Sequence, residues 1–449
     1  MAVLTPAGWP YLPKLLLTVA FLRIATMAPT TWADTRTTLA SACFALYLVA
    51  MLTMDSFTSP WLPTGWLALA AGFALAPKST GPKPIFFALL GLLLFHALAI
   101  PGSILWGSGN WELTAGVVMW MAPAFVLYVA GTGQTLSWLA PAFLIHAGLI
   151  IHNGFTNWHY SGATLIWDGY STGLASNSNL AAGFIVLGLV YALAGKSKWL
   201  ALPLLMALLF TGSRWGIAVG ASTILIMALA GHISGRALAV TILGLLGAFL
   251  LTGLLTPAGY TISGHNSFAS IGESINSSVG SRLAVPHLPS LLPAGIAEHP
   301  GLHNVPLRVA FESGVLAAAL WVAITGWALI KGVLPKGRVV VTMAGAGNGA
   351  VRQPQADRRL FWWLLLALAA LSMLDYYTWM GHLGGFWWLL VGLLVKSPAA
   401  IKTPQPQQQS TVSGDCSNGR TPASQWFPDH RPTEHQPRAK PQSGDQGYG

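Results

Sequence analysis

The chain has 449 residues, 53% of them hydrophobic and only 8% charged. Soluble proteins carry about 25% charged residues, and apolar runs recur here as far as residue 396, so the composition argues against a soluble domain. The formal charge of +10 does not point to nucleic acid, because much of it falls in short loops between apolar runs.

The expected fold is all-α: a polytopic membrane protein of about 12 transmembrane helices with a large periplasmic loop. A backbone exposed to lipid must satisfy its own hydrogen bonds, and helices do this within one segment. Apolar segments fall near 11–28, 37–54, 61–76, 84–101, 113–131, 134–152, 179–195, 199–211, 215–231, 236–255, 313–333, 360–374 and 385–396. Several are shorter than the roughly 20 residues that span a bilayer unaided. The first contains Lys14 and Arg23 and lacks a convincing cleavage site, so it reads as a membrane segment rather than a secretory signal.

The connecting loops divide by charge. Arg36, Lys78, Lys83, Lys196, Lys198, Arg236, Lys331, Lys336, Arg338, Arg352, Arg358 and Arg359 fall in one alternating set. Asp55, Glu112, Asp168, Glu273, Glu298 and Asp375 fall in the other, where Arg214 and Arg282 are the basic residues. The basic set is expected in the cytoplasm. Loops 153–178 and 256–304 then face outward, and loop 334–358 faces inward. Residues 1–396 form the membrane domain. The tail 397–449, rich in Pro, Gln, Ser and Gly, is expected to be a disordered cytoplasmic segment. Ten segments before the large loop put the N-terminus outside; an N-terminus inside requires that 11–28 or 61–76 not be a full span.

Three clusters on the outward side carry the candidate chemistry. The stretch 153–179, which takes in loop 153–178 and ends in Ser-Asn-Ser-Asn, is rich in hydroxyl, amide and aromatic side chains. Such groups bind sugars, and equally line a membrane interface. Asn177 and Asn179 open the next helix, where capping alone explains one of them. Thr211-Gly212-Ser213-Arg214 sits between two apolar runs. An arginine there either snorkels to headgroups or binds a phosphate with its planar fork.

The third cluster closes the large loop. It contains Arg282, His303, Asn304, Arg308 and Glu312. Pro306 suits the first turn of a helix, which places His303 and Asn304 at its positive end, suited to an anion. Arg308 and Glu312 are four apart and either pair with each other or bind substrate. His299 and His303 stand beside Glu298, but Pro300 and Gly301 would break the helix needed to join them on a metal. No metal or cofactor is expected.

SNSNLAAGF, TGSRWG, Arg282 and HNVPLRVAFESG, in that order, resemble the O-antigen ligase family, which includes O-antigen polymerases and O-linked oligosaccharyltransferases. The resemblance covers about residues 175 to 395. It implies a multi-spanning bacterial inner-membrane glycosyltransferase with its active site facing the periplasm. Its donor would be an undecaprenyl-pyrophosphate-linked glycan. The acceptor would be lipid A–core, a second glycan repeat or a protein hydroxyl, with lipid A–core favoured. The transfer would be metal-independent and inverting. Arg214 and Arg282 would hold the pyrophosphate, and His303 would be the base. Asn304, Arg308 and Glu312 would line the substrate site. The competing class is a transporter of lipid-linked glycan. That class predicts repeated halves and charges near the membrane midplane.

Overall fold

The structure is a computed structural model. It describes residues 32–52, 62–76, 83–106, 115, 123–156, 158–161, 164–167, 171–175, 177–195, 198–236, 238–239, 241–243, 289–291, 293, 304–333, 355–373 and 381–395. The chain divides into Met1–Ala399 and Ala400–Gly449, and all described residues belong to the first unit. Of the expected regions, segment 11–28, most of loop 256–304, most of loop 334–358 and the tail 397–449 lie outside the described residues.

The described residues are predominantly helical. In order they form α1 (Trp32–Leu52), α2 (Leu62–Leu75), α3 (Lys83–Trp106), α4 (Gln134–Thr156), a hairpin of β1 (Trp158–Ser161) and β2 (Thr164–Trp167), α5 (Ser178–Ala194), α6 (Ala201–Phe210), α7 (Arg214–Leu229), α8 (Val305–Ser313), α9 (Val315–Val333), α10 (Gln355–Ser372) and α11 (Gly381–Val395). A further helical stretch covers 123–130. Thr35–Leu52, Lys83–Leu105, Gln134–Thr156 and Val315–Val333 are long and apolar enough to cross a membrane. The apolar helices α5, α6, α7 and α11 are shorter.

Burial sorts the helices into centre and rim. In α5 every residue from Leu180 to Val190 is buried, and α11 is buried from Leu383 through Val391. Helices that are apolar all round belong in an interior. α5 packs on α4, α6, α7 and α10, and α11 packs on α1, α9 and α10. α3 lies at the rim and leaves Phe87, Leu90, Leu94, Leu98 and Leu105 exposed. A continuous apolar outer face suits hydrocarbon rather than water, consistent with a membrane protein.

The described residues bear out the helical class, with one short hairpin added. β1 and β2 pair antiparallel, Trp158 opposite Trp167 and Ser161 opposite Thr164. Loop 153–178 is thus partly ordered, and α4 runs on to Thr156. Tertiary contact extends that helix: Gly154 lies so close to Phe210 that a Cβ would sit 2.5 Å from the ring, and the Phe155 and Phe210 rings meet at 5.2 Å. Segment 84–101 likewise continues through Pro101 to Trp106. The expected 313–333 helix starts at Val315, because Gly314 adopts φ +88 and breaks it from α8. The expected loop 334–358 ends early, since α10 begins at Gln355.

Side-chain contacts define two ends of the bundle. At one end Ser41 of α1 bonds Thr132 just before α4 at 2.6 Å, and Phe361 of α10 lies against Gly133. Trp362 donates to the Leu329 carbonyl of α9, and Arg358 donates to the carbonyls of Lys331 and Leu394. This end collects Arg36, Lys198, Lys331, Arg358 and Arg359, because α5 runs antiparallel to α4 and delivers Lys198 there. The opposite end collects the N-termini of α5, α7 and α8 and the C-termini of α4, α6 and α10.

Candidate functional site

The opposite end is built from helix caps. Asn177 is the N-cap of α5, its Oδ1 accepting from the Leu180 N–H at 2.9 Å. Ser213 is the N-cap of α7, its Oγ accepting from the Gly216 N–H at 3.2 Å. Asn304 is the N-cap of α8, its Oδ1 accepting from the Leu307 N–H at 2.9 Å, with Pro306 in the first turn. Serine and asparagine suit these places because their short side chains reach backbone N–H groups that lack a helical partner.

Residues at these helix starts also bond neighbouring helices. Ser213 Oγ donates to Asn179 Oδ1 at 2.8 Å, across 34 residues of chain. Trp215 donates from Nε1 to the Leu371 carbonyl at 3.3 Å. Asn304 donates from Nδ2 to the Met373 carbonyl at 2.7 Å. Asn179, Ser213, Trp215 and Asn304, from three separate motifs, therefore meet around the C-terminal end of α10. Their helices can approach because α5 and α7 touch at Gly216, where a Cβ would collide with Ala182. The turn into α7 needs Gly212 at φ +64, a conformation that costs glycine little. Thr211 holds the same turn by donating to the Leu208 carbonyl and accepting from the Ser213 N–H.

Arg214 is placed by its backbone as the first residue of α7. Arg282 and His303 lie outside the described residues, although His303 directly precedes Asn304 in the chain. Arg308 and Glu312 pair with each other, Nε to Oε1, on one face of α8. Both are largely buried, at 13% and 6% side-chain exposure, so this is no solvated surface pair. Burial pushes the Glu312 carboxyl above its usual range, while the charge and hydrogen bond of Arg308 pull it down. Just beyond the pair the Val315 N–H donates to the Ser290 carbonyl at 3.0 Å, tying the end of the large loop to the α8–α9 break. Among the described residues no group of three or more His, Cys, Asp or Glu side chains gathers to hold a metal ion.

The partners of these contacts were not legible in the sequence. Asn179 was read as opening α5, but nothing in the chain marks it as the partner of Ser213. Likewise nothing marks the carbonyls of Leu371 and Met373 as acceptors. These contacts depend on how helices distant in sequence cross.

Ser213→Ala tests this joint. It removes a helix cap and the link to Asn179 together, and a cap alone is worth about 1 kcal/mol. Unfolding in detergent should show a loss of about 1–2 kcal/mol, while Ser213→Thr should stay near wild type. A wild-type unfolding midpoint for Ser213→Ala would mean that the Ser213 contacts contribute nothing.

No protein-family model, curated protein or solved structure matches this chain.

Proposed function

We propose that the protein is an O-antigen ligase-type glycosyltransferase that moves a glycan from undecaprenyl pyrophosphate to a hydroxyl of lipid A–core. One observation carries the reading: residues of three separate motifs, at 177–179, 213–215 and 304, lie at a single end of the bundle, Ser213 bonded to Asn179 and Trp215 and Asn304 bonded to the nearby carbonyls of Leu371 and Met373. Arg36, Lys198, Lys331, Arg358 and Arg359 gather at the other end. With that end in the cytoplasm, the motif end faces the periplasm of a bacterial inner membrane. About twelve spans complete this reading of the chain.

The chemistry follows from residue type. The acceptor oxygen bonds to the anomeric carbon as the carbon–oxygen bond to pyrophosphate breaks. The electron pair leaves with undecaprenyl pyrophosphate, and a single displacement inverts the anomeric centre. His303 takes the hydroxyl proton, a role suited to imidazole near neutral pH. Arg214 and Arg282 grip the pyrophosphate, whose charge grows in the transition state. The positive ends of α5, α7 and α8 add to that field. Asn179, its carbonyl oxygen engaged by Ser213, presents its amide hydrogens to donor sugar or phosphate. Asn304 aligns His303, and the Arg308–Glu312 pair stiffens the helix behind it.

The test is transfer in vitro, with purified protein, undecaprenyl-pyrophosphate glycan and lipid A–core in EDTA. Wild type should form product, and His303→Ala should lose at least 100-fold. No product from wild type, with the substrates shown competent using a known ligase, would reject lipid A–core as the acceptor. A second repeat unit or an acceptor protein would then be offered. Equal product from both proteins would remove His303 from the mechanism.

A further inference from the structure

Residues 171–175 lie between the hairpin and α5, and the structure holds them down at three points. The Ser171 N–H donates to the Phe210 carbonyl at the end of α6, at 3.2 Å. Ser171 Oγ donates to the Ile150 carbonyl of α4, at 2.6 Å. The Leu174 N–H donates to Nδ1 of His146, also on α4, at 3.1 Å. Only the third bond depends on an ionisable side chain. His146 is fully buried, and its ring stands edge-on to Phe184 of α5 at 5.3 Å. Gly173, at φ +59, passes over the same ring, where a Cβ would lie 2.8 Å from Nδ1. The segment thus wraps a histidine that accepts at Nδ1, which requires its ring proton on Nε2.

We propose that His146 is a positioning residue, the clamp that fixes segment 171–175 and through it the N-terminus of α5 carrying Asn177 and Asn179. Two residues separate Leu174 from Asn177, so release of the Leu174 N–H frees the approach to the cap. Asn179 then loses its fixed register against Ser213. A core histidine retained only for packing would need no acceptor at Nδ1, and a leucine of similar bulk would replace it. An asparagine would restore the acceptor, since Oδ1 occupies about the place of Nδ1. The consequence for glycan transfer rests on the function proposed above; the clamp itself does not.

The experiment uses full-length protein in lipid nanodiscs, with Cys43→Ala, Cys416→Ala and Ala175→Cys. Ala175 is buried, so a maleimide should label position 175 slowly with His146 in place. We expect His146→Asn to stay within two-fold of that rate and His146→Leu to label at least ten-fold faster. Equal rates for all three, or His146→Asn as fast as His146→Leu, would overturn the proposal. If His146→Leu does not elute as a folded species, amide exchange of the unaltered protein decides. Leu174 exchanging at least ten-fold slower than Thr172 and Gly173 supports the clamp, and equal exchange overturns it. Transfer assayed in parallel separates the two ideas. Fast labelling of His146→Leu beside an inactive wild type would reject the glycosyltransferase and keep the clamp. Slow labelling of His146→Leu beside an active wild type would reject the clamp alone.

Discussion

Arg214→Ala is expected to cut glycan transfer about 100-fold while leaving the protein as stable as wild type or slightly more so. The stability half of that expectation comes from position. Arg214 is the first residue of α7, where the helix dipole is positive and a cation is disfavoured by about 0.3–1 kcal/mol. Its removal relieves that repulsion. The activity half comes from the proposed phosphate role, since a planar guanidinium gives paired charge-assisted bonds. Arg214→Lys keeps the charge and loses the fork, so transfer should fall by only about 10-fold. The measurements are initial transfer rates at saturating acceptor and unfolding midpoints in the same detergent. A variant that loses activity and stability in parallel would show Arg214 to be a structural residue.

Glu312→Ala is expected to destabilise the protein by about 3 kcal/mol, because it withdraws the carboxylate from a buried arginine. Glu312→Gln keeps the shape and one acceptor and should cost about half as much. The pair also sets a pH dependence. Burial raises the Glu312 pKa above the ordinary 4.5, against the pull of Arg308. The folded chain therefore holds this proton more tightly than the unfolded chain does. That contribution is full below pH 4.5 and is lost as pH rises through the raised value. Unfolding followed from pH 4 to pH 8 should show this slope in wild type and its absence in Glu312→Gln. The same slope in both proteins would assign it to another group.

Much of the helical layout was legible from apolar runs and punctuation. Segments 179–195, 215–231 and 385–396 lie within two residues of the observed α5 and α7 and within four of α11. The signals were strong because lipid-compatible helices carry almost no charge, and helix starts such as those at Asn177 and Asn304 are local chemistry. The reading failed where distant contacts override local signals. Pro101 did not end α3, since the helix continues to Trp106. Asn153 and Gly154 did not end α4, since Phe210 packs on its last turn.

The sequence alone determined a helical, apolar chain, the helix starts near Asn177 and Asn304, and the segregation of basic loops. Each of these follows from the solubility, hydrogen-bonding needs or charge of a residue and its near neighbours. Only the tertiary structure decided that Asn179 bonds Ser213, that Asn304 reaches Met373, that Arg308 and Glu312 are buried together, and that His146 holds Leu174. Hydrogen bonds act only within about 3 Å. Whether two groups 28, 34 or 69 residues apart come that close is set by helix crossings, where small residues such as Gly216 admit a neighbouring helix. No local pattern in the chain carries that information.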